Sequence, residues 1–241
     1  MKLARIEKKF HMPVSWSDIP FGEQYRQALQ YHLRPWWPKM FGFHLLKLGH
    51  LSTEIHTDEC MIAHQFCAGN DDPRFHILAD QLSLPFANKS IDACLMSQVL
   101  AYSHDPHRIL REVDRVLIDD GWLIISGFNP LSLVGLGKMI PMLRKKQPYC
   151  SRLFPSLRIF DWLSLLNYDV LYHRNCQAFP WHGPENWLNK HIAGVGVLNV
   201  IVARKRTYPL TPTSLKFKQP KMQIGTTLGA TKRMNNRSNN P

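Results

Sequence analysis

Side chains able to do acid–base chemistry cluster between residues 102 and 107, directly after a stretch that the pattern predicts as a buried strand. Tyr102 and His104 follow the carboxyl end of that strand, where an imidazole with a pKa near 6.5 would be useful as a general base. His104 and His107 also have the HxxH spacing of some metal sites. No further cysteine or acid completes a metal set, so we predict no metal site. Placement of Tyr102 and His104 in an ordinary surface loop remains the alternative.

Two apolar runs frame this cluster and are typical of strands covered on both faces. Residues 91–96 read IDACLM and residues 122–126 read WLIIS, as in the central strands of a parallel sheet. Between them, Asp105 and Pro106 suit the N-cap and first position of a helix. Its apolar face comprises Ile109, Leu110, Val113, Val116 and Leu117. Residues 119–121, Asp-Asp-Gly, supply the turn back into the sheet. The stretch therefore predicts a βαβ unit.

The first half of the chain predicts one helix, three strands and, at residues 49–59, no more than a short helix. Residues 22–34 form a plausible helix, and residues 43–48 form a buried-strand pattern that ends at Gly49. Residues 61–66 and 75–79 are further strand patterns on either side of a strong turn. Because parallel strands need a crossover of roughly a dozen residues, these two strands are expected to form an antiparallel hairpin, or one of them to lie outside the main sheet. This part of the domain looks abridged.

The composition is that of a globular protein without membrane spans. The 241 residues are 44% hydrophobic and 20% charged, and no apolar run reaches the roughly 18 residues of a transmembrane helix. The basic N-terminus lacks the apolar core of a secretory signal. The five cysteines include no CxxC pair, which favours reduced thiols and a cytoplasmic location.

Most of the positive charge lies near the C-terminus. The formal net charge is +12, but residues 204–241 hold nine Lys or Arg and no acid, which leaves 21 basic and 18 acidic residues before them. Residues 207–241 are expected to form a disordered tail. Such a tail would reach nucleic acid or anionic lipid through phosphate contacts, or serve only to solubilise the protein. We predict an N-terminal helical extension at 1–42, an α/β domain at 43–206 and this tail at 207–241.

An apolar and basic segment follows the βαβ unit at residues 130–158. It is expected to cap the carboxyl edge of the sheet, where open α/β sheets bind their ligands. Its mixture of Leu, Met and Val with Lys and Arg leaves a membrane-surface role as an alternative. Residues 159–166 predict a helix, and residues 168–172 and 195–203 predict two closing strands.

The central stretch resembles the class I methyltransferases that use S-adenosylmethionine, especially the family called type 11. The matching features are Asp80, Leu84-Pro85-Phe86, Ser90-Ile91-Asp92, Arg115-Val116-Leu117 and Asp120-Gly121. They occur in the family's order across about fifty residues, and the whole chain is similar to a proteobacterial group of methyltransferase-like proteins. The resemblance implies a Rossmann-like three-layer α/β sandwich with a mostly parallel central sheet and an antiparallel C-terminal strand pair.

The resemblance also implies a cofactor site. The position of Asp80 implies a hydrogen bond from the adenine amino group to its carboxylate, and the backbone N–H of Gln81 would meet a ring nitrogen. Ser97 and Gln98 follow the next strand, where family members line the pocket near the sulfonium. Asp92 is expected to be structural, through capping or a backbone hydrogen bond.

The loop after the first strand departs from the family pattern. The family has an acid and then Gly-x-Gly-x-Gly, whereas this chain keeps Gly49 but has Leu51 and Thr53 at the later glycine positions and Lys47 in place of the acid. No acid follows the second strand at the ribose position, and Asp71 and Asp72 are expected to serve a turn. Ser52, Thr53, backbone amides and Lys47 are the candidate substitutes for binding the methionine carboxylate.

These features predict an S-adenosylmethionine-dependent methyltransferase that acts on a small or lipid-like acceptor. A displacement of this kind needs alignment and exclusion of water more than side-chain chemistry, so no catalytic residue is assigned. The alternative is a catalytically degenerate member of the fold that acts as a binding or regulatory module, through its tail on nucleic acid. The oligomeric state is not predicted.

Overall fold

The computed structural model describes residues 12–70, 72–142, 146–176 and 196–207. Seven strands form one sheet, with the spatial order β3-β2-β1-β4-β5-β7-β6. The strands are β1 His44–Leu48, β2 His64–Gly69, β3 Ile77–Leu78, β4 Ile91–Ser97, β5 Leu117–Phe128, β6 Tyr168–Cys176 and β7 Leu198–Lys205. Strands β1 to β5 pair in parallel, and β7 runs antiparallel to both β5 and β6.

Helices cover both faces of the sheet. They are α1 Gly22–Leu33, α2 His50–Thr53, α3 Val99–Tyr102, α4 Pro106–Val116, α5 Leu133–Gly137 and α6 Ser156–Leu165, with short 3-10 turns at Trp16–Asp18 and Trp37–Lys39. One apolar core joins α4 and α6 to one face, and a second joins α1 to the other. Neighbouring residues of β1 divide between them, since Leu46 faces the first core and Leu45 the second. The predicted three-layer α/β fold is confirmed.

The predicted βαβ unit is confirmed by the boundaries of α4. Asp105 caps this helix, because its Oδ1 accepts a hydrogen bond from the Arg108 backbone N–H at 3.1 Å. The turn predicted at residues 119–121 lies inside β5 as an irregularity of its pairing, where Ala93 pairs with Trp122 although Ile91 pairs with Leu117. Asp120 adopts a left-handed φ of 64° there.

The structural role expected for Asp92 is also observed. Its Oδ2 accepts hydrogen bonds from the backbone N–H groups of Phe43 and His44, at 2.9 Å and 2.8 Å. This buried carboxylate therefore fixes the start of β1 against β4.

Both expectations for the third strand were wrong. Strands β2 and β3 are parallel neighbours within the main sheet, with Ala68 opposite Ile77 and Gly69 opposite Leu78. A short connection suffices because β3 pairs only with the last two residues of β2. The chain therefore does not have to return along the full length of β2, which is the distance that makes ordinary crossovers long.

Candidate functional site

The carboxyl ends of three strands bring most of the candidate residues together. Gly49 follows β1, Gln81 follows β3, and a Cβ placed on Gly49 would lie 3.5 Å from the Gln81 side-chain nitrogen. At the end of β4, the Ser97 N–H donates to the Ser52 hydroxyl at 2.8 Å, which ties β4 to the turn after Gly49. Four of the five candidate residues, Gly49, Gln81, Ser97 and Gln98, thus end or follow strands at this edge of the sheet. The fifth, Asp80, adjoins Gln81.

Gln98 has the least satisfied side chain of this group. It is fully buried, and neither its amide oxygen nor its amide nitrogen has a hydrogen-bond partner within the described part of the chain. Its backbone is also left-handed, with φ 61°, a conformation that ordinary side chains rarely adopt. A buried polar atom without a partner costs about 1–3 kcal/mol. Unfavourable features of this kind concentrate at ligand sites.

Two hydroxyl groups are also buried without a hydrogen-bond partner among the described residues. Ser97 on β4 and Ser126 on β5 are register partners, both are buried, and neither Oγ has a partner among the described residues. Ser126 was missed in the sequence, where it stood only as the last residue of an apolar run. Both hydroxyls are therefore buried at the carboxyl edge of the sheet without a partner in the described residues.

Gly49 has a conformation that requires glycine. Its φ is 80°, and an added Cβ would lie 2.8 Å from a Val99 methyl and 3.2 Å from the Met12 methyl. Its N–H donates to the Ala68 carbonyl at 2.9 Å. Glycine is therefore required at this position by the backbone conformation and by the side chains packed against it.

The substitutes considered for the missing glycines and acid are engaged elsewhere. Lys47 donates to the Ile55 carbonyl at 2.9 Å, and burial lowers the pKa of its ammonium group. The Ser52 hydroxyl donates to the Leu48 carbonyl at 2.6 Å, and that of Thr53 donates to the His50 carbonyl at 2.7 Å. Because these side chains satisfy local backbone groups, they do not form a prepared carboxylate site.

Asp80 is exposed at the start of the loop that follows β3. Its Oδ1 accepts from the Leu82 N–H at 2.9 Å, and its carbonyl accepts from Ser83 N–H at 3.0 Å. The carboxylate therefore stabilises its own turn and still reaches solvent beside Gln81.

Replacing Asp80 with alanine should weaken binding of S-adenosylhomocysteine roughly tenfold, the loss of one good hydrogen bond. Asp80→Asn keeps an acceptor for the Leu82 N–H and serves as the matched control for the turn. Calorimetry measures both affinities, and urea unfolding verifies the fold. An alanine variant that binds as tightly as the parent would remove the adenine role of Asp80.

Asp72 forms an ion pair instead of a ribose site. Its carboxylate contacts the Arg74 guanidinium at 2.7 Å and the Arg74 backbone N–H at 2.8 Å. These hydrogen bonds lower the pKa of Asp72 to about 2. Arg74 also donates to the Val14 carbonyl at 2.7 Å, so it ties the N-terminal segment to this loop. The turn role expected for Asp72 is confirmed, whereas Asp71 lies outside the described residues.

The Asp72 pair should make stability depend on pH. Its folded pKa lies below the ordinary value of 3.8, so its contribution is complete above that value and is lost as the pH falls toward 2. We expect Asp72→Asn to be less stable than the parent at pH 6 and the difference to shrink on acidification. Urea midpoints between pH 7 and pH 2.5 measure this difference, with Asp161→Asn on the exposed face of α6 as control. A difference independent of pH would contradict the assignment.

Tyr102 is buried in α3, and His107 lies in the first turn of α4, so neither belongs to an exposed loop. The Tyr102 hydroxyl donates to Gln147 Oε1 at 2.6 Å, and burial raises the pKa of its phenol, which disfavours a role as a base. The His107 ring packs on Trp162 with centroids 4.3 Å apart. Within residues 12–70, 72–142, 146–176 and 196–207, no three His, Cys, Asp or Glu side chains are grouped to hold a metal ion.

All five cysteines are free thiols. No helix in the described ranges is both long enough and apolar enough to cross a membrane. The tail from residue 208 onward and most of the connection between β6 and β7 lie outside the described residues.

Sequence comparison identifies relatives of this chain. The profile described as "Methyltransferase domain" matches residues 42–125. The "Uncharacterized protein YafS" of Escherichia coli strain K12 is 50% identical over 234 residues, which cover 96% of this chain and 97% of that protein. The similarity therefore extends over nearly the whole of both chains.

Solved structures share the fold. A SAM-dependent methyltransferase from Thermotoga maritima superposes with a TM-score of 0.56 at 18% identity, covering 75% of this chain and 89% of that chain. An S-adenosylmethionine-dependent methyltransferase from Mesorhizobium loti gives 0.53 at 14% identity, covering 74% and 98%. The near full-length relative shows that this chain belongs to one family with YafS, and the chain has the fold of S-adenosylmethionine-dependent methyltransferases, with a methyltransferase-domain match over residues 42–125.

Proposed function

We propose that this protein binds S-adenosylmethionine at the carboxyl edge of β1, β3 and β4 and transfers its methyl group to a small or lipid-soluble acceptor. The observation that carries the proposal is the fully buried Gln98 side chain, whose amide has no partner among the described residues. A polar ligand at this edge would supply that partner and offset the cost of burying the amide.

Different residues at this edge would contact different parts of the proposed cofactor. Asp80 and the Gln81 N–H would hold the adenine end, and Gly49 would allow the close approach of the methionine end. Gln98, with the hydroxyls of Ser97 and Ser126, would provide polar contacts between these ends. Asp72, the described acid nearest to the family's ribose position in the sequence, is paired with Arg74.

The bound cofactor would supply an activated methyl group for direct displacement. The protein's own part is to hold the acceptor in line with that methyl group, exclude water and bury the reacting atoms. The segment after β5 supports this role, because the Arg152 N–H donates to the Ala101 carbonyl at 2.7 Å and so closes it over α3. An acceptor with its own nucleophilic atom requires no covalent chemistry from the chain.

Transfer of a tritiated methyl group tests the proposal. The purified protein is incubated with methyl-labelled S-adenosylmethionine and either a lipid extract or a water-soluble metabolite extract of the host cells. We expect label to appear in one fraction with the parent protein and to fall at least roughly tenfold with Gln98→Met. Absence of transfer to both fractions, while the cofactor binds, would favour a binding module over an enzyme.

A further inference from the structure

Two histidines face each other where β1 and β2 begin. His44 is the first residue of β1 and His64 is the first residue of β2, and the parallel register places them directly opposite each other. Their Nδ1 atoms lie 2.8 Å apart. The sequence does not indicate this contact, because the two positions are 20 residues apart and only the sheet brings them together. We call these two side chains the histidine pair.

The fold holds both members of the histidine pair in place. The backbone N–H of His44 donates to the buried Asp92 carboxylate at 2.8 Å, which fixes the start of β1. The His64 ring packs on Phe66, the next residue on the same face of β2, with ring centroids 5.2 Å apart. A ligand that contacts both imidazoles therefore loses little affinity to the cost of ordering them.

The histidine pair opens into a cavity of about 560 Å³. Phe66, Phe86 and Ile77 contribute apolar walls to this cavity. The His64 side chain is exposed and that of His44 is half-buried, so solvent and small ions reach both rings. The pair lies where β1 and β2 begin, whereas the proposed cofactor site lies at the carboxyl edge of the sheet. A ligand at the pair would therefore bind independently of the cofactor.

The spacing of the two Nδ1 atoms suits a single metal ion. A neutral imidazole can carry its proton on Nε2, which leaves the Nδ1 lone pair for coordination. With metal–nitrogen bonds of about 2.0 Å, the observed separation corresponds to an angle of about 90° at the metal. This is the angle between neighbouring ligands in a square-planar or tetragonal site, which is typical of Cu²⁺ and Ni²⁺. A tetrahedral Zn²⁺ site would need the two nitrogens about 3.3 Å apart.

We propose that the histidine pair binds one Cu²⁺ ion through its two Nδ1 atoms. Cu²⁺ binds a given set of nitrogen ligands more tightly than Ni²⁺ or Zn²⁺ does, so geometry and intrinsic affinity favour the same ion. His76 lines the same cavity, but its Nδ1 accepts from the Cys67 N–H at 3.0 Å. The described ranges hold no group of three His, Cys, Asp or Glu suited to a metal, so water completes the coordination. The bound ion would link the first residues of β1 and β2.

Copper titration of the purified protein without an affinity tag tests the proposal, and it requires neither the cofactor nor an acceptor. We expect one tightly bound Cu²⁺ per chain, with an electron paramagnetic resonance spectrum that shows two imidazole nitrogens. His44→Ala and His64→Ala should each bind Cu²⁺ at least roughly tenfold more weakly and show one nitrogen, because the advantage of two linked ligands is lost. His56→Ala, at an exposed histidine outside the cavity, should bind like the parent.

Two results would overturn the proposal. Parent-like Cu²⁺ affinity of either single variant would show adventitious binding at other groups only, and tighter binding of Zn²⁺ than of Cu²⁺ would contradict the geometry. If a variant fails to fold, nuclear magnetic resonance of the parent with substoichiometric Cu²⁺ decides. The paramagnetic ion should broaden the amide signals of residues 43–45 and 63–66 before all others. Broadening that begins elsewhere in the chain would rule out the histidine pair.

Discussion

Replacing Gln98 with methionine should stabilise the ligand-free protein and weaken its binding of S-adenosylhomocysteine. Methionine has nearly the same volume and no amide, so the two buried atoms without a partner disappear while packing is kept. Removing such groups is expected to raise the free energy of unfolding by about 1–3 kcal/mol. The same change removes polar contacts from the proposed site, so the affinity should fall at least roughly tenfold.

Gln65→Met is the matched control for this prediction. Gln65 is a glutamine within β2, and its amide nitrogen donates to the Ile62 carbonyl at 3.1 Å while its oxygen accepts from the Thr57 hydroxyl. Its replacement should therefore destabilise the protein and leave cofactor binding unchanged. Urea unfolding and calorimetry measure both quantities. A Gln98→Met protein that is less stable and binds like the parent would show that Gln98 has a structural role.

Replacing Gly49 with alanine should abolish detectable cofactor binding and destabilise the protein by about 1–3 kcal/mol. A φ of 80° is strained for alanine, and its Cβ would lie 2.8 Å from the Val99 methyl. Val99 or the loop must then move, which displaces the backbone that the ligand approaches. The effect on binding should exceed the effect on stability, because the loop can relax toward solvent only by leaving its ligand-binding position.

Gly127→Ala is the control for the glycine substitution itself. Gly127 lies in β5, and an added Cβ would meet no heavy atom within 4 Å. The urea midpoint of Gly127→Ala should stay close to that of the parent, in the same experiment that measures Gly49→Ala. If Gly49→Ala keeps both its stability and its affinity for S-adenosylhomocysteine, Gly49 has no special part in the site.

The sequence predicted the elements whose signals are local. The N-cap at Asp105, the apolar face of α4 and the buried strands β4 and β5 follow from residue types a few positions apart. The pairing of β2 with β3 could not be predicted in this way. It depends on β3 being two residues long and lying beside the end of β2. A weak strand pattern shows neither how long a strand is nor where along its neighbour it pairs.

For the site, the sequence predicted the positions of the candidate residues but not the contacts of their side chains. The family pattern indicated Gly49, Asp80, Gln81, Ser97 and Gln98 as positions, and the structure brings them to one edge. The family pattern did not indicate that the Gln98 side chain is buried without a partner, because burial of an amide depends on residues far apart in the chain. Lys47 was considered as a substitute ligand where the chain departs from the family pattern, whereas in the structure it donates to the Ile55 carbonyl. A side chain's partner is decided by the fold around it.

Calorimetric titration of S-adenosylhomocysteine and S-adenosylmethionine into the purified protein tests the central claim most directly. The account predicts binding of one molecule per chain, with a dissociation constant on the order of micromolar, and weaker binding by Gln98→Met. Absence of heat with protein and ligand both near millimolar concentration would contradict the account.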